Sequence, residues 1–273
     1  MKAYIYQIEA ISNLHAGSGE ANEGVIDNLI QRDSVTGFPI INASSLKGAL
    51  REHFKDQDKE LIKHIFGSEV NDPTERKVGA YRFFDARLLA IPVRSNKTPY
   101  LMATSPLVVQ DYLRTLELFG LPVDKELKQL AQQTPGSPWV TNLKYNQARI
   151  EDLEKTAACK EPLKGLSAWF GNAGVLLSDT DFKTLCDNDH LPVFARNHLN
   201  DGQSENLWYE QVLPRFSRLY FTVLVPDEYT WFSQFNAHIT QNLVQIGANA
   251  TVGYGYCKLT NILDSNFSKQ PQK

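Results

Sequence analysis

The pattern of hydrophobic and polar positions predicts a chain in which strands and helices alternate. Residues 3–11 alternate apolar and polar side chains with a period of two, which is typical of a strand with one buried face. Residues 219–225 form a continuous apolar run, which predicts a fully buried strand. Residues 78–93 are rich in aromatic and aliphatic side chains and predict one strand or a bent pair of strands.

Two segments early in the chain have the apolar spacing of helices. The first begins at Ser44 and Ser45, which we expect to cap it, and extends with a break towards Gly67, a plausible stop. The second runs from Ser105 to Phe119, with a proline at its first position, where the missing N–H costs nothing. Both helices are therefore expected to pack an apolar face against a sheet.

A third helix is expected after Asp227, which we interpret as its cap. Its apolar face is formed by Phe232, Phe235, Ile239 and Leu243. The order of the elements predicts an α+β fold with helices on one face of an antiparallel sheet. Residues 121–215 mix short apolar runs with turn signals, so we expect insertions there.

Composition and charge exclude several classes of protein. The chain is 42% hydrophobic and 22% charged, as in ordinary globular proteins. Its 28 basic and 31 acidic residues exclude binding of nucleic acid by bulk charge, so any such contact must be local. No apolar stretch is long enough for a membrane span or a signal peptide, and we expect no membrane partner. Three widely spaced cysteines argue against a disulfide framework and a structural zinc site, and favour a reducing cytoplasm.

The start of the first predicted helix has the chemistry of a phosphate site. A helix amino terminus presents unpaired N–H groups, Ser44 and Ser45 add hydroxyls, and Lys47 and Arg51 place two cations one turn apart. The alternative is that the serines only cap the helix and the cations are solvated.

A second concavity is expected near the carboxy terminus, where Gly247, Gly253 and Gly255 leave the backbone uncovered. Its amides would suit phosphates, but a tight turn without a ligand explains the glycines equally well.

The polar, glycine-rich loop that follows the first strand carries His15 and Asp27 at its ends. An aspartate there would bind a divalent cation or handle a proton during phosphodiester cleavage, or would simply form a turn. The chain contains no Walker loop, no GxGxxG motif and no GxSxG elbow, which removes the commonest nucleotide-binding and hydrolase interpretations.

Three segments resemble the RAMP superfamily of CRISPR proteins. Residues 15–52, HAGSGEANEGVIDNLIQRDSVTGFPIINASSLKGALRE, resemble its amino-terminal signature, and residues 246–259, IGANATVGYGYCKL, resemble its glycine-rich loop. Residues 206–214, NLWYEQVLP, are similar to a segment of the repeated backbone subunit of type III-B, or Cmr, effector complexes. The resemblance implies a single RAMP domain over residues 1–273, with insertions within 121–215. It also implies a modified ferredoxin-like (RRM-like) core with inserted thumb and lid elements.

The resemblance also implies a function in antiviral defence. Members of the family stack along a CRISPR RNA as a helical filament of copies, together with other Cmr subunits. In this branch the aspartate that matches Asp27 cuts single-stranded target RNA paired with the guide, with a divalent metal, Mg²⁺ or Mn²⁺, that this residue would hold. The resemblance places the following residues on guide RNA: Ser44, Ser45, Lys47, Arg51, Gly247, Gly253 and Gly255.

Two further residues are candidates to assist Asp27 in catalysis. These are His15 in the loop and Glu210 in the Cmr-like segment, where Gln211 replaces a second acid that is frequent in relatives. The alternatives to a target-cleaving subunit are a non-catalytic filament subunit and an enzyme that processes precursor CRISPR RNA.

Overall fold

The computed structural model describes residues 1–19, 24–68, 77–160, 163–200, 203–227 and 231–262. The strands in this part of the chain are β1 (Lys2–Ala10), β2 (Ile40–Ile41), β3 (Arg82–Phe83), β4 (Ala86–Val93), β5 (Leu101–Thr104), β6 (Trp139–Val140), β7 (Ala158–Cys159), β8 (Gly174–Leu176), β9 (Val193–Asn200), β10 (Gln203–Gln211), β11 (Arg218–Val225), β12 (Val244–Gln245) and β13 (Tyr256–Asn261). The helices are α1 (Ala43–His53), α2 (Lys59–Phe66), α3 (Pro106–Leu118), α4 (Lys125–Ala131), α5 (Lys164–Phe170), α6 (Asp179–Cys186) and α7 (Phe232–Gln241).

The chain divides into two compact units. Among the described residues, the first comprises Met1–Arg87 and those from Leu191 to 262, and the second comprises Leu88–His190. The expectation of a single domain with insertions within 121–215 stays a prediction. None of the helices in the described residues is long and apolar enough to cross a membrane.

The first unit is built on an antiparallel sheet centred on β1. This strand pairs with β11 on one side and β13 on the other, β12 pairs with β13, and β3 pairs with β11. The predicted alternation of β1 is confirmed, because Ile8 and Ala10 are buried while Gln7 and Glu9 are half-exposed. The apolar run of β11 is confirmed as a buried strand.

An aromatic cluster joins the helices of the first unit to this sheet. The ring of Phe54, just after α1, lies 5.7 Å from that of Phe235 in α7, and Phe235 meets Tyr6 of β1 edge-on at 6.3 Å. All three side chains are fully buried. Burial of each aromatic side chain contributes about 2–3 kcal/mol, so this cluster fixes α1 and α7 on the sheet.

The predicted serine cap of α1 is wrong. The helix begins at Ala43, its cap position is Asn42, and the Ala43 N–H donates to Asp85 Oδ1 at 2.7 Å. Because this distant carboxylate satisfies the helix end, Ser44 and Ser45 lie inside the first turn. The predicted break is confirmed, since α1 and α2 are separate helices, and α2 ends at Gly67 with a positive φ.

The cap that we predicted for the last helix is also wrong. Helix α7 begins at Phe232 after Trp231, and Asp227 instead forms an ion pair with the amino terminus of Met1 at 2.9 Å. Phe235 and Ile239 are buried as predicted. Leu243 lies beyond the helix and is half-exposed, so it does not belong to the apolar face.

The second unit contains a mixed sheet, so the antiparallel prediction fails there. Strands β4 and β5 are antiparallel, as are β6 and β8, but β5 pairs with β8, and β6 with β7, in parallel. Helices α3, α4 and α5 lie in the chain between β5 and β8, which is the long crossover that parallel strands require. The α+β class is confirmed, and helix α3 begins at Pro106 as predicted.

Strands β9 and β10 form a separate antiparallel hairpin in the first unit. In its register Trp208 lies opposite Arg196, and Glu210 lies opposite Phe194. The hairpin is continuous with the polar loop, because Asn28 forms a bridge with Glu210 and Leu14 forms one with Leu213. The end of β10 is thereby held beside both ends of that loop.

Candidate functional site

Asp27 is fixed by the backbone of β10. The Tyr209 N–H donates to Asp27 Oδ2 at 2.7 Å, and on either side the loop backbone bonds the strand, from Asn28 N to Tyr209 O at 3.1 Å and from Gln211 N to Asn28 O at 2.9 Å. The side chain is half-exposed, and no described residue donates to its other carboxylate oxygen. That oxygen is placed to accept a proton or a ligand. Residues 20–23 of the same loop lie outside the described residues.

His15 lies in the interior, with a side chain that is only 5% exposed. Its Nδ1 is 2.6 Å from the carbonyl oxygen of Gln211. Because a carbonyl only accepts hydrogen bonds, Nδ1 carries a proton and donates it in this contact. The His15 carbonyl accepts the Ala248 N–H at 2.9 Å, so the residue joins β10 to the glycine-rich loop.

Glu210 is also buried, at 7% exposure, and its two carboxylate oxygens are both engaged. Oε1 accepts from Trp208 Nε1 at 2.9 Å, and Oε2 accepts from Arg196 Nε at 3.1 Å and Asn249 Nδ2 at 2.8 Å. Burial alone would raise the pKa of Glu210, but the hydrogen bonds and the charges of His15 and Arg196 hold it below its usual value. Glu210 therefore stays ionised and fully bonded.

Arg196 joins the hairpin to the glycine-rich loop. Besides bonding Glu210, its guanidinium lies 4.4 Å from the ring centroid of Tyr254, a cation–π distance. Asn249, which bonds the same carboxylate, adopts a left-handed backbone conformation at φ 65°. Together these contacts hold the loop against β10 next to the strand position that bonds Asp27.

The glycines of this loop are explained by close packing. Gly247 and Gly255 have positive φ, and a Cβ on either would overlap a backbone carbonyl oxygen, that of His15 or of Ile246. The N–H groups of Gly253 and Gly255 donate within the protein, to Ala250 O and Asn13 O. The structure thus favours a tight turn, and the RNA contacts predicted for the three glycines stay predictions.

A cluster of three cations lies beside α1. Burial, and then the charges of Arg51 and Arg82, lower the pKa of Lys47, so the three positive charges lie close enough to influence one another. Arg51 also donates to the Gly67 carbonyl at 3.0 Å and so ties α1 to the end of α2. Such a concentration of positive charge favours an anion at this place.

The two serines and the helix start, which complete the predicted phosphate site, differ in exposure and in hydrogen bonding. Ser44 is exposed, whereas Ser45 is half-buried and accepts a hydrogen bond from Gln31 Nε2 at 2.9 Å. The Asp85 carboxylate already occupies the Ala43 N–H at the helix start. The Ala43 N–H is therefore taken, and the cations and the serine hydroxyls are the side-chain groups that suit a phosphate.

Sequence reasoning missed Gln31, Arg82, Arg196 and Asn249. Arg196 and Asn249 reach Glu210 only through the hairpin register and the turn of the glycine-rich loop, and Arg82 meets Lys47 through the position of β3. A glutamine belongs to no metal or nucleophile motif, so nothing in the sequence distinguished Gln31. In the described ranges, no three His, Cys, Asp or Glu side chains group closely enough to hold a metal ion.

Comparisons with known proteins agree on one family. The model of the RAMP superfamily matches residues 7–258. The CRISPR system Cmr endoribonuclease Cmr4 of Pyrococcus furiosus is 31% identical over 95% of this chain and 96% of its own. The crystal structure of oligomeric Cmr4 from the same organism has a TM-score of 0.73 at 27% identity, covering 96% of this chain and 98% of its own. The cryo-EM structure of type III-B Cmr-beta bound to cognate target RNA contains a chain with a TM-score of 0.80 at 24% identity, over 97% of this chain and 98% of that one, which shows the same fold.

Proposed function

The chain belongs to the RAMP superfamily, and on this basis we propose that it is the repeated backbone subunit of a type III-B CRISPR effector complex. In this role it binds CRISPR RNA and cleaves complementary target RNA at regular intervals. The proposal is supported by the near full-length similarity to a protein named an endoribonuclease and by the crystal structure of an oligomeric relative. Its partners are then CRISPR RNA, target RNA, further copies of itself and other Cmr subunits.

The observation that carries the cleavage proposal is the position of Asp27. Its carboxylate is held by one backbone bond from Tyr209, while its other oxygen points away from that bond with no partner among the described residues. The same loop bonds the start of α1, where Gln31 Nε2 donates to Ser45 Oγ at 2.9 Å. The loop that carries the carboxylate is thus tied to the helix that carries Lys47 and Arg51.

The reaction that fits this arrangement is attack of a target 2′-OH on the adjacent phosphate. It forms a 2′,3′-cyclic phosphate as the P–O5′ bond breaks, and the departing 5′-oxygen takes a proton from water. A stacked A-form helix forbids the in-line geometry that this attack requires. A target nucleotide that is displaced from the stack can reach that geometry. Asp27 either accepts the proton of the attacking hydroxyl through its unbonded oxygen or holds a divalent cation there. A positioned base of this kind contributes about 10²–10⁴-fold.

His15 and Glu210 are better suited to positioning than to proton transfer. Both are buried, and the lowered pKa and three donors of Glu210 keep it from acting as a general acid. His15 and Glu210 hold the end of β10, and through the Tyr209 N–H that strand holds Asp27. A direct catalytic role of either residue stays a prediction.

Dependence on Mg²⁺ or Mn²⁺ is part of the proposal. The described residues do not form an all-protein metal site, and Asp27 offers a single carboxylate. Mg²⁺ is commonly bound by one or two carboxylates together with substrate phosphates, so Asp27 with RNA phosphates would suffice. A bound ion would supply positive charge to the cleaved phosphate.

For the fold and the setting, we propose a modified ferredoxin-like core with thumb and lid elements in a cytoplasmic protein. The antiparallel sheet around β1 with α1 and α7 packed on it supports such a core. The β9–β10 hairpin, which leaves the sheet as a separate two-stranded ribbon, is the element that we assign to the thumb.

The experiment that tests the function uses protein assembled with CRISPR RNA and a labelled complementary RNA, with and without EDTA. Cuts at a regular spacing that EDTA abolishes are expected. An intact target would support a non-catalytic filament subunit, and cleavage of precursor CRISPR RNA by the protein alone would support a processing enzyme. Cleavage that survives EDTA would overturn the metal requirement only.

Self-assembly is tested separately by light scattering on guides of increasing length. Because each copy covers a fixed number of nucleotides, the particle should grow in steps with guide length. One fixed particle size on short and long guides would contradict a filament.

A further inference from the structure

Arg196 of β9 contacts both β10 and the glycine-rich loop. Its Nε donates to Glu210 Oε2 at 3.1 Å, and its guanidinium carbon lies 4.4 Å from the centroid of the Tyr254 ring. The ring of Phe194, two positions earlier on the same strand, meets the Tyr254 ring edge-on at 6.5 Å. The hairpin is thus anchored on the glycine-rich loop at Tyr254, and Arg196 links this anchor to the carboxylate of Glu210.

The bonding of Arg196 is not arranged for stability alone. An arginine–carboxylate pair is strongest when two N–H groups bond the two oxygens, but the second oxygen of Glu210 accepts from Trp208 Nε1 instead. Nη2 of Arg196 is buried and has no hydrogen-bond partner among the described residues. Because a buried donor without an acceptor is costly, we explain Arg196 by the positive charge that it brings to Glu210.

The buried Glu210 carboxylate depends on such a charge. Burial raises its pKa, whereas the Trp208 hydrogen bond, the charges of His15 and Arg196 and the Asn249 hydrogen bond lower it. Among these groups only the guanidinium is permanently charged. Removing Arg196 would therefore leave a buried carboxylate without its fixed counter-charge, which strongly disfavours the present position of Glu210.

Glu210 lies between the two residues of β10 that bond the loop carrying Asp27. The Tyr209 N–H donates to Asp27 Oδ2 at 2.7 Å, and the Gln211 N–H donates to the Asn28 carbonyl at 2.9 Å. Consecutive Cα atoms are held about 3.8 Å apart, so Glu210 cannot move without moving its neighbours. A change in the seat of the Glu210 side chain is thereby passed to the Asp27 carboxylate.

We propose that Arg196 is a positioning residue for RNA cleavage: it seats the Glu210 carboxylate, and the strand around Glu210 then holds Asp27 in place. This inference rests on the proposed function, because it requires that Asp27 takes part in cleavage. It assigns a role in the reaction to a residue of the hairpin that acts through another side chain and need not touch RNA.

Arg196→Met tests the proposal in single-turnover cleavage of labelled target RNA by protein assembled with CRISPR RNA. Methionine keeps the apolar stem and removes the charge. We expect the cleavage rate to fall about 10–100-fold, because a misplacement of about 1 Å suffices for a loss of this order. The affinities for guide and target should stay within about twofold. A weaker guide affinity with a salt slope reduced by about 0.7 would show that Arg196 binds a phosphate itself, and would overturn the proposal.

Two double-mutant cycles separate positioning from a general loss of stability. Adding Glu210→Gln to Arg196→Met removes the uncompensated charge, so the double variant should cleave about fivefold or more faster than Arg196→Met alone. In an Asp27→Asn background, Arg196→Met should slow the residual cleavage by no more than about twofold, because its effect passes through Asp27. Effects that simply multiply in either cycle would overturn the proposal. Failure of the normal assembly to cleave its target would instead refute the proposed function.

Arg94→Met is the matched control. The Arg94 Nε pairs with Glu151 at 2.7 Å in an exposed ion pair of the second unit, so this change should leave the cleavage rate within about twofold.

A milder variant, Asn249→Gly, keeps the proposal testable if Arg196→Met does not fold. Glycine suits the φ of 65° at this position, so the change removes only the Nδ2 donor to Glu210 Oε2. We expect cleavage to fall about fivefold, as for one hydrogen bond to a charged group, with guide binding unchanged. A normal cleavage rate would show that the seat of Glu210 does not position Asp27, which would overturn the proposal.

Discussion

Replacing Asp27 by asparagine should abolish cleavage while leaving the fold and guide binding intact. In the structure the Tyr209 N–H donates to one carboxylate oxygen at 2.7 Å, and an asparagine oxygen can accept the same bond. The change places an NH₂ group where the second oxygen stood, so a donor replaces the acceptor. The residue keeps its position but can no longer take a proton or hold a cation.

The two expected magnitudes differ widely. A charge-assisted hydrogen bond becomes a neutral one about half as strong, and a typical net bond is worth about 1 kcal/mol, so the free energy of unfolding should fall by less than about 1 kcal/mol. That corresponds to a decrease in Tm of at most about 4 °C for a chain of this size. Loss of a proton-transfer group should reduce target cleavage by at least about 100-fold.

The assay is single-turnover cleavage of labelled target RNA by protein assembled with guide, alongside guide binding and thermal melting. Asp33→Asn is the matched control, because Asp33 Oδ1 bonds only its own turn, accepting from Val35 N, Thr36 N and Thr36 Oγ1. It removes the same charge from a neighbouring turn and should leave the cleavage rate within about twofold. Normal cleavage by pure Asp27→Asn protein would refute the catalytic assignment, and loss of assembly would show that Asp27 is structural.

Three further predictions follow from the surroundings of this site. Lys47→Ala should reduce the slope of log affinity against log salt by about 0.7 in guide-binding titrations, and an unchanged slope would remove the cation cluster from the RNA path. Gly247→Ala should destabilise the protein by about 3 kcal/mol or more in urea unfolding, because backbone strain and overlap with the His15 carbonyl add. Gly253 also has a positive φ but open space around it, so Gly253→Ala should cost only about 1–2 kcal/mol. Equal losses in the two variants would contradict the packing argument. Because the pKa of Glu210 is lowered on folding, its stabilisation is present above the unfolded pKa, about 4.3, and is lost as the pH falls through the folded value. The stability difference between normal and Glu210→Gln protein should therefore shrink below about pH 4, and a constant difference from pH 7 to 3 would count against the contacts described.

Elements that local spacing determines were predictable from the sequence. The alternation in β1, the apolar run in β11 and the proline at the start of α3 depend on neighbouring residues, and each appears where it was expected. The two predicted helix caps failed because distant groups intervened: one bonds the first N–H of α1, and another pairs with Asp227. Asp85 is 42 positions from the N–H it bonds, and Asp227 is drawn to the amino terminus 226 positions away. Short-range rules contain no information about such partners.

The candidate site likewise combines residues that the sequence indicated and contacts that it could not predict. Asp27 and His15 were named from the polar loop and Glu210 from the family resemblance. The bond that fixes Asp27 nevertheless crosses 182 positions, and the hairpin register decides which side chains meet Glu210. The choice between a tight turn and a phosphate site for the glycines depends on the His15 carbonyl, which lies against Gly247. The sequence does not show this contact. Contacts of this kind exist only once β10 and the two loops are brought together.

The acidic net charge of −3 and the local cation cluster are consistent with one another. A chain with few excess cations binds a single RNA segment weakly, because each neutralised phosphate releases only about one counterion. Copies that share one RNA convert each later binding event into an intramolecular one, which raises overall affinity without new contacts. A low affinity per copy then favours occupation of a long guide over scattered non-specific RNA. The few cations around Lys47 are thus compatible with the filament that we propose.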